Sequence, residues 1–274
     1  MVAGLLLCHL FLSLLANGVL FQQPAVSFLF HLQSATGHWV QPTLVANVIN
    51  ISVVLGLGVV WIGGWRWADL GWRWSHFARA LAILAGLVML WQLLLAFIGW
   101  MAIGDLHWHE RAQETATSRY LGSLLAQFFG NALYEESFFR VFLFTQILNW
   151  FRRHSKYRWA TAMAVLFSQA IFALSHLPNR VWVHHLTNPE ALLFNLLWLF
   201  AMGIGFQLLW LWTRNLWIVV GLHALDNKPF SLADVPIGAE DGVLELLILI
   251  IVLVGVYEPI RHKWTSLCTG VAPR

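Results

Sequence analysis

Two adjacent carboxylates and an arginine lie in the middle of a long apolar stretch. Glu135, Glu136 and Arg140 fall within an apolar run over about residues 121–150, which can cross a bilayer because spanning takes about 20 residues. Each charge at the centre of such a helix costs about 2.5–3.5 kcal/mol. Glu136 and Arg140 are four residues apart, acid first, and can pair on one helix face. Glu135 points about 100° away, so it is either a spare acid inside a bundle or a group kept for chemistry.

Two other apolar stretches also contain polar side chains. His176 ends one of them, just before Pro178, and His223 and Asn227 lie one turn apart in another. Taken separately, the first is typical of a histidine at the membrane interface, and the second of a hydrogen-bonding pair between helices. Buried polar groups need partners, however. We therefore expect these side chains to converge with Glu135 in the interior of a helix bundle.

The composition is that of an integral membrane protein. Of the 274 residues, 59% are hydrophobic and 11% are charged, whereas about 25% are charged in an ordinary soluble domain. We predict an all-α fold that forms a single integral membrane domain over residues 1–274, with the catalytic groups on the fourth, fifth and seventh helices. Eight transmembrane helices are predicted, at about residues 2–21, 44–63, 80–103, 121–150, 159–177, 191–213, 216–232 and 243–257.

Two connecting segments have a distinct composition. Residues 22–43 contain no acidic or basic residue but include Pro24 and Gly37, which predicts a loop with residues 28–30 at the membrane interface. Residues 64–67 and 71–74 repeat the pattern Gly-Trp-Arg-Trp. Tryptophan and arginine at the headgroup level indicate an interfacial anchor.

Other residue types that can bind metal occur outside the predicted spans. His107, His109 and Glu110 lie in a polar loop and could bind a metal, although two histidines in such a loop are more typical of solvated side chains. Cys8 and Cys268 lie at opposite ends of the chain and match no metal or redox spacing.

The basic residues predict the orientation. With eight spans, eleven of the 16 basic residues lie on the side of both termini and four on the opposite side, while Arg140 is intramembrane. The positive-inside rule then places both termini in the cytoplasm. We expect a bacterial inner membrane, a lipid bilayer as the surroundings and no nucleic-acid partner, because the basic residues flank the membrane.

The three intramembrane motifs together resemble those of the CPBP family. These are the CAAX-processing, Ras-converting-enzyme type intramembrane proteases, also called Abi proteins. The motifs are Glu135-Glu136 with Arg140, then Phe172 with His176, then His223 with Asn227, in that order on successive helices.

The resemblance covers about residues 119–232, the predicted catalytic core helices, and leaves residues 1–118 as accessory helices. It implies that Glu135 and His176 activate a water, that His223 and Asn227 stabilise the oxyanion, and that Glu136 and Arg140 have supporting roles. Asp226 could take the polar role given to Asn227 beside it.

The same residues are compatible with two forms of peptide hydrolysis. The reaction needs a base for water, a proton donor for the leaving amine and donors for the tetrahedral oxyanion. A histidine and an asparagine one turn apart can supply two such donors. Glu135, His176 and His223 also match a catalytic zinc pattern of two histidines and one glutamate, with Asp226 as a possible second-shell partner of His223. We favour the metal-free enzyme, which the resemblance implies, and no other cofactor.

Two non-proteolytic functions remain as alternatives. A transporter also keeps acids and histidines at mid-membrane, but no inverted repeat of broken helices is seen here. A scaffold would be expected to have lost part of the set, which is intact here. The expected partner is a membrane-anchored or membrane-embedded protein or peptide. Prenylated CAAX proteins are one substrate class, and bacteriocin precursors, anti-sigma factors or C-terminal sorting tails are others in a bacterium.

Overall fold

The computed structural model describes residues 1–105, 114–154 and 159–269. The described chain is helical, and most of its connections are short. We number its helices in chain order. They are α1 (Val2–Leu15, continued by a π-helical segment Ala16–Leu20), α2 (Ala25–Ala35), α3 (Pro42–Asn50, continued by π-helical Ile51–Ile62), α4 (Phe77–Ile103), α5 (Glu114–Ala126 onward to Phe144–His154), α6 (Ala160–Ser175), α7 (Leu177–Trp182), α8 (Pro189–Thr213), α9 (Leu216–Asp226) and α10 (Ala239–Thr269).

The helices confirm an all-α polytopic membrane protein. Helical stretches occur at all eight predicted positions. Within the described ranges, five stretches are long and apolar enough to cross a bilayer: Val2–Leu20, Pro42–Ile62, Trp67–Ile103, Ala160–Trp182 and Pro189–Thr213. The membrane location is therefore established, while the count of eight spans stays a prediction.

Several predicted boundaries were wrong. The loop predicted over residues 22–43 contains α2, because the segment between Pro24 and Gly37 has no helix breaker. The seventh predicted span, α9, ends at Asp226 rather than near residue 232, since Pro229 lacks the N–H needed to continue it. The described part of the fourth predicted span, α5, begins at Glu114, within the predicted polar loop. The loop residues His107, His109 and Glu110 lie outside the described ranges.

Two helices form the interior of the bundle. Residues 132–144 of α5 and residues 215–225 of α9 are buried on every face, as expected of helices surrounded by other helices. Gly221 lets α9 lie directly against α4, because a Cβ at this position would overlap the side chain of Leu84. A chain of amides also joins three helices. Gln169 Nε2 donates to Gln207 Oε1 at 2.9 Å, and Gln207 Nε2 donates to the Arg140 carbonyl at 3.2 Å.

The Trp-Arg segment packs against these inner helices. Trp72 Nε1 donates to Ser137 Oγ of α5 at 2.8 Å, and Trp217 Nε1 of α9 donates to the Arg73 carbonyl at 3.1 Å. Gly71 adopts φ 89° and lies so close to Leu216 that a Cβ would be 3.0 Å from the leucine Cβ. The segment therefore joins the middle of α5 to the start of α9, a role that the interfacial-anchor hypothesis did not include.

Candidate active site

The polar side chains from three helices converge on Glu135. Glu135 Oε1 of α5 lies 3.6 Å from His176 Nε2, at the end of α6, and Glu135 Oε2 lies 3.7 Å from His223 Nε2 of α9. Glu135 is only 8% exposed. The expectation that these groups meet in the bundle interior is thus confirmed, and Glu135 has a histidine beside each of its oxygens.

His176 is oriented by its own helix. Its Nδ1 donates to the Phe172 carbonyl at 2.9 Å, which leaves Nε2 directed at Glu135. The residue lies at a break in the helix, since α6 ends at Ser175 and α7 begins at Leu177 with Pro178 in its first turn. The break lies just before Pro178, a residue type that interrupts regular helix.

His223 contacts both carboxylates. Its Nδ1 lies 2.6 Å from Glu136 Oε1 and donates to it, while Nε2 faces Glu135. The ring also stacks on Phe206, with centroids 5.1 Å apart. The sequence analysis paired Glu136 with Arg140 and suggested Asp226 as the partner of His223. The structure shows instead that Glu136 orients this imidazole.

Glu136 and Arg140 form the predicted ion pair. Arg140 Nε lies 3.3 Å from Glu136 Oε2, and both residues are 0% exposed. The contact lies within ion-pair distance but lacks hydrogen-bond geometry, and none of the three guanidinium nitrogens has a hydrogen-bond acceptor among the described residues. The guanidinium lies 3.8 Å above the ring centroid of Phe172, a cation–π contact. Glu136 thus balances the charge of Arg140 and orients His223.

Asn227 lies just beyond α9, where it caps the helix C-terminus. Its Nδ2 donates to Gln127 Oε1 of α5 at 3.0 Å, a partner that sequence analysis missed. Gln127 lies two turns before Glu135 on the same helix, so its position within the apolar run was a usable signal. Asn227 lines the same cavity as His223, whereas Asp226 does not.

These side chains line one large cavity. It has a volume of about 850 Å³ and contains Glu135, His176, His223 and Asn227 in its wall. Ten of the residues lining it are asparagine or glutamine, and several of them belong to the first three helices. The accessory segment therefore builds part of the site.

The charge in the cavity wall is predominantly positive. Among the described residues that line the cavity, Glu135 is the only carboxylate, and Arg180 and Lys228 supply positive charge. Burial, together with the neighbouring Arg180, lowers the pKa of His184 in the loop after α7. His184 is therefore neutral at pH 7 and adds no charge to the wall.

One cavity residue was missed entirely. His9 of α1 lines the cavity and contacts Tyr134, the residue before Glu135. A histidine inside the first apolar run was the available signal, because ionisable residues within membrane helices are usually functional.

The residue types at Glu135 suit zinc. Two histidines and one glutamate are a known ligand set. However, no group of three or more His, Cys, Asp or Glu side chains in the described ranges is arranged to hold a metal ion. We therefore derive no step through a metal.

Comparison with known proteins agrees with this geometry. Residues 117–228 match the family model for type II CAAX prenyl endopeptidases, Rce1-like. Searches of the curated proteins and of the solved structures found no match. The matched segment contains Glu135, His176, His223 and Asn227. Through this segment the chain is similar to the Rce1-like type II CAAX prenyl endopeptidases.

Proposed function

We propose that this protein is an intramembrane endopeptidase in which Glu135 and His176 activate a water molecule. The observation that carries the proposal is the convergence of Glu135 with two histidine Nε2 atoms, at 3.6 and 3.7 Å, on the wall of a large cavity. Glu135 accepts a proton from the water as the water oxygen attacks the scissile carbonyl. The proton that Glu135 accepted passes to Nε2 of His176, which transfers it to the leaving amine as the C–N bond breaks.

The spacing of Glu135 and His176 supports direct proton exchange between them. Direct proton transfer needs heavy atoms about 2.6–3.2 Å apart. The 3.6 Å between Glu135 and His176 is slightly longer, and such hydrogen bonds often shorten when the substrate binds. Because Nδ1 of His176 is held by the Phe172 carbonyl, Nε2 is the nitrogen that exchanges the proton.

His223 and Asn227 are the proposed oxyanion donors. For His223 Nε2 to donate while Nδ1 donates to Glu136, the ring must carry both protons. Glu136, 2.6 Å from Nδ1, is the counter-ion for that imidazolium. Asn227 has a second N–H besides the one held by Gln127, and this N–H is available to the oxyanion.

The cavity wall favours a peptide as substrate. Asparagine and glutamine each carry both donors and acceptors. The groups that the ten lining residues do not use in hydrogen bonds with one another can satisfy an extended peptide backbone away from water. We propose a membrane-anchored or membrane-embedded protein substrate, with prenylated CAAX sequences as the class to test first. Both termini are proposed to lie in the cytoplasm and the membrane to be a bacterial inner membrane.

The test is hydrolysis of a prenylated CAAX peptide by the purified protein in nanodiscs. We expect Glu135→Gln to abolish hydrolysis and to leave the yield of folded protein unchanged, because the side chain keeps its size and loses only its basicity. Glu190→Gln, at an exposed position in the first turn of α8, is the matched control and should retain full activity.

Two results would contradict the proposal. Equal rates for Glu135→Gln and the unchanged protein would remove Glu135 from the mechanism, and failure of the unchanged protein to cleave would exclude this substrate class. Metal analysis with chelation provides the second arm. One zinc per chain, with activity lost on removal and restored on return, would make Glu135, His176 and His223 zinc ligands.

A further inference from the structure

A third histidine lies beside the catalytic groups, on a helix outside the matched segment. His9 of α1 is 8% exposed and lines the cavity that contains Glu135 and His176. Its ring packs against Tyr134, Phe138 and Phe139 of α5, with centroids 5.3–5.6 Å apart. The side chain is therefore held rigidly, as a group that recognises a ligand needs to be.

The two nitrogens of His9 have different surroundings. Nδ1 makes a 2.7 Å hydrogen bond with the Tyr134 hydroxyl. Nε2 is buried and has no hydrogen-bond partner among the described residues. A buried polar atom without a partner costs about 1–3 kcal/mol. This unpaired nitrogen belongs to a side chain in the cavity wall, so a bound ligand can supply the missing hydrogen bond.

We propose that His9 Nε2 hydrogen-bonds a main-chain amide group of the bound substrate. The proposal rests on the proposed function, because it requires the cavity to hold a peptide. The hydrogen bond with Tyr134 determines which nitrogen of His9 carries the proton. When its hydroxyl donates to Nδ1, Nε2 carries the proton and binds a peptide carbonyl; when Nδ1 donates to the hydroxyl, Nε2 accepts from a peptide N–H. Either way α1 is part of the substrate site, and His9 is a binding residue rather than the base.

A pair of substitutions at His9 distinguishes the contribution of Nδ1 from that of Nε2. The amide of His9→Asn takes the place of Nδ1 and can keep the bond to Tyr134, but leaves the cavity position empty. The longer His9→Gln places its amide where Nε2 was. Both variants lose the ring, so its packing is lost equally. His31→Asn, at an exposed position of α2, is the control for a histidine that does not line the cavity.

The experiment measures capture of a prenylated CAAX peptide in nanodiscs by protein that also carries Glu135→Gln. Capture needs no hydrolysis, so its outcome is independent of the catalytic test. We expect His9→Asn to bind about three- to tenfold more weakly than the parent, which is the value of one neutral hydrogen bond. His9→Gln and His31→Asn should bind like the parent, and thermal unfolding of the two His9 variants should coincide.

Several outcomes would overturn the proposal. Equal capture by His9→Asn, His9→Gln and the parent would show that Nε2 makes no hydrogen bond to the peptide. The same conclusion would follow if none of the three proteins captured the peptide. Equal weakening by both variants, with lower unfolding temperatures, would make His9 a structural partner of Tyr134. In turnover measurements of the active protein, a drop in kcat without a rise in KM for His9→Asn would also contradict a binding role.

Discussion

The dual role of Glu136 predicts that stability and activity can be separated by a pair of substitutions. Glu136→Gln leaves the guanidinium of Arg140 fully buried, without its paired carboxylate and without a hydrogen-bond acceptor among the described residues. Removing one partner of a buried pair costs about 3–5 kcal/mol. Arg140→Met is expected to cost less, about 1.5–3 kcal/mol, because Glu136 keeps its 2.6 Å bond to His223.

The double substitution removes both charges together. Replacing a buried ion pair by groups of similar volume is often neutral or stabilising, so Glu136→Gln with Arg140→Met should be about 1–2 kcal/mol more stable than Glu136→Gln alone. Activity should not follow stability. Glutamine still accepts a hydrogen bond from His223 but no longer balances its positive charge. Turnover should therefore stay reduced on the order of 100-fold or more in both proteins that contain Glu136→Gln.

The assay is thermal unfolding of the three variants in one detergent, alongside peptide hydrolysis at a temperature where all are folded. A double variant as unstable as Glu136→Gln would show that the unpaired charge of Arg140 does not destabilise the single variant. Recovery of turnover in the double variant would refute the counter-ion role of Glu136. In that case the Glu136 carboxylate would contribute to stability but not to catalysis.

Three further predictions concern the other site residues. Asn227→Ala should lower kcat on the order of 100- to 1,000-fold with little change in KM, since it removes one oxyanion donor; an unchanged kcat in steady-state hydrolysis would exclude that role. Gln127→Leu, which removes the partner of Asn227, should lower kcat by a smaller factor, and a loss equal to that of Asn227→Ala would mean that Gln127 contacts the substrate itself. Chelation of the purified protein should leave hydrolysis unchanged, and a loss reversed by zinc would contradict the metal-free mechanism.

The sequence was sufficient to predict the meeting of Glu135, His176 and His223. Each is a polar group in an apolar helix. Because burial without a partner costs free energy, the three groups were expected to be one another's partners. The break beside Pro178 was also predictable, because proline restricts the backbone before it. These inferences depend only on local chemistry and on the requirement for partners.

The partners across helices could not be predicted in the same way. The contact of Glu136 with His223, the bond of Gln127 to Asn227, and the position of His9 beside Tyr134 depend on the tilt and rotation of packed helices. Helical spacing fixes which residues share a face, but not which face meets which neighbour. For the same reason, helices assigned as accessory turned out to line the cavity.

The π-helical segments of α5 make its register depend on the number of residues that they contain. Two of its segments, Gln127–Ala132 and Glu136–Leu143, are π-helical, so each turn there holds an additional residue. Deleting one residue from the first segment after Gln127 would favour the ordinary α-helical hydrogen bonds. Residues on either side would keep nearly the same rotation about the helix axis, because the wide turn already holds one additional residue. The spacing of Glu135, Glu136 and Arg140 would be unaffected. A chain one residue shorter at this point would therefore keep Gln127 on the same side of the helix as the catalytic carboxylate.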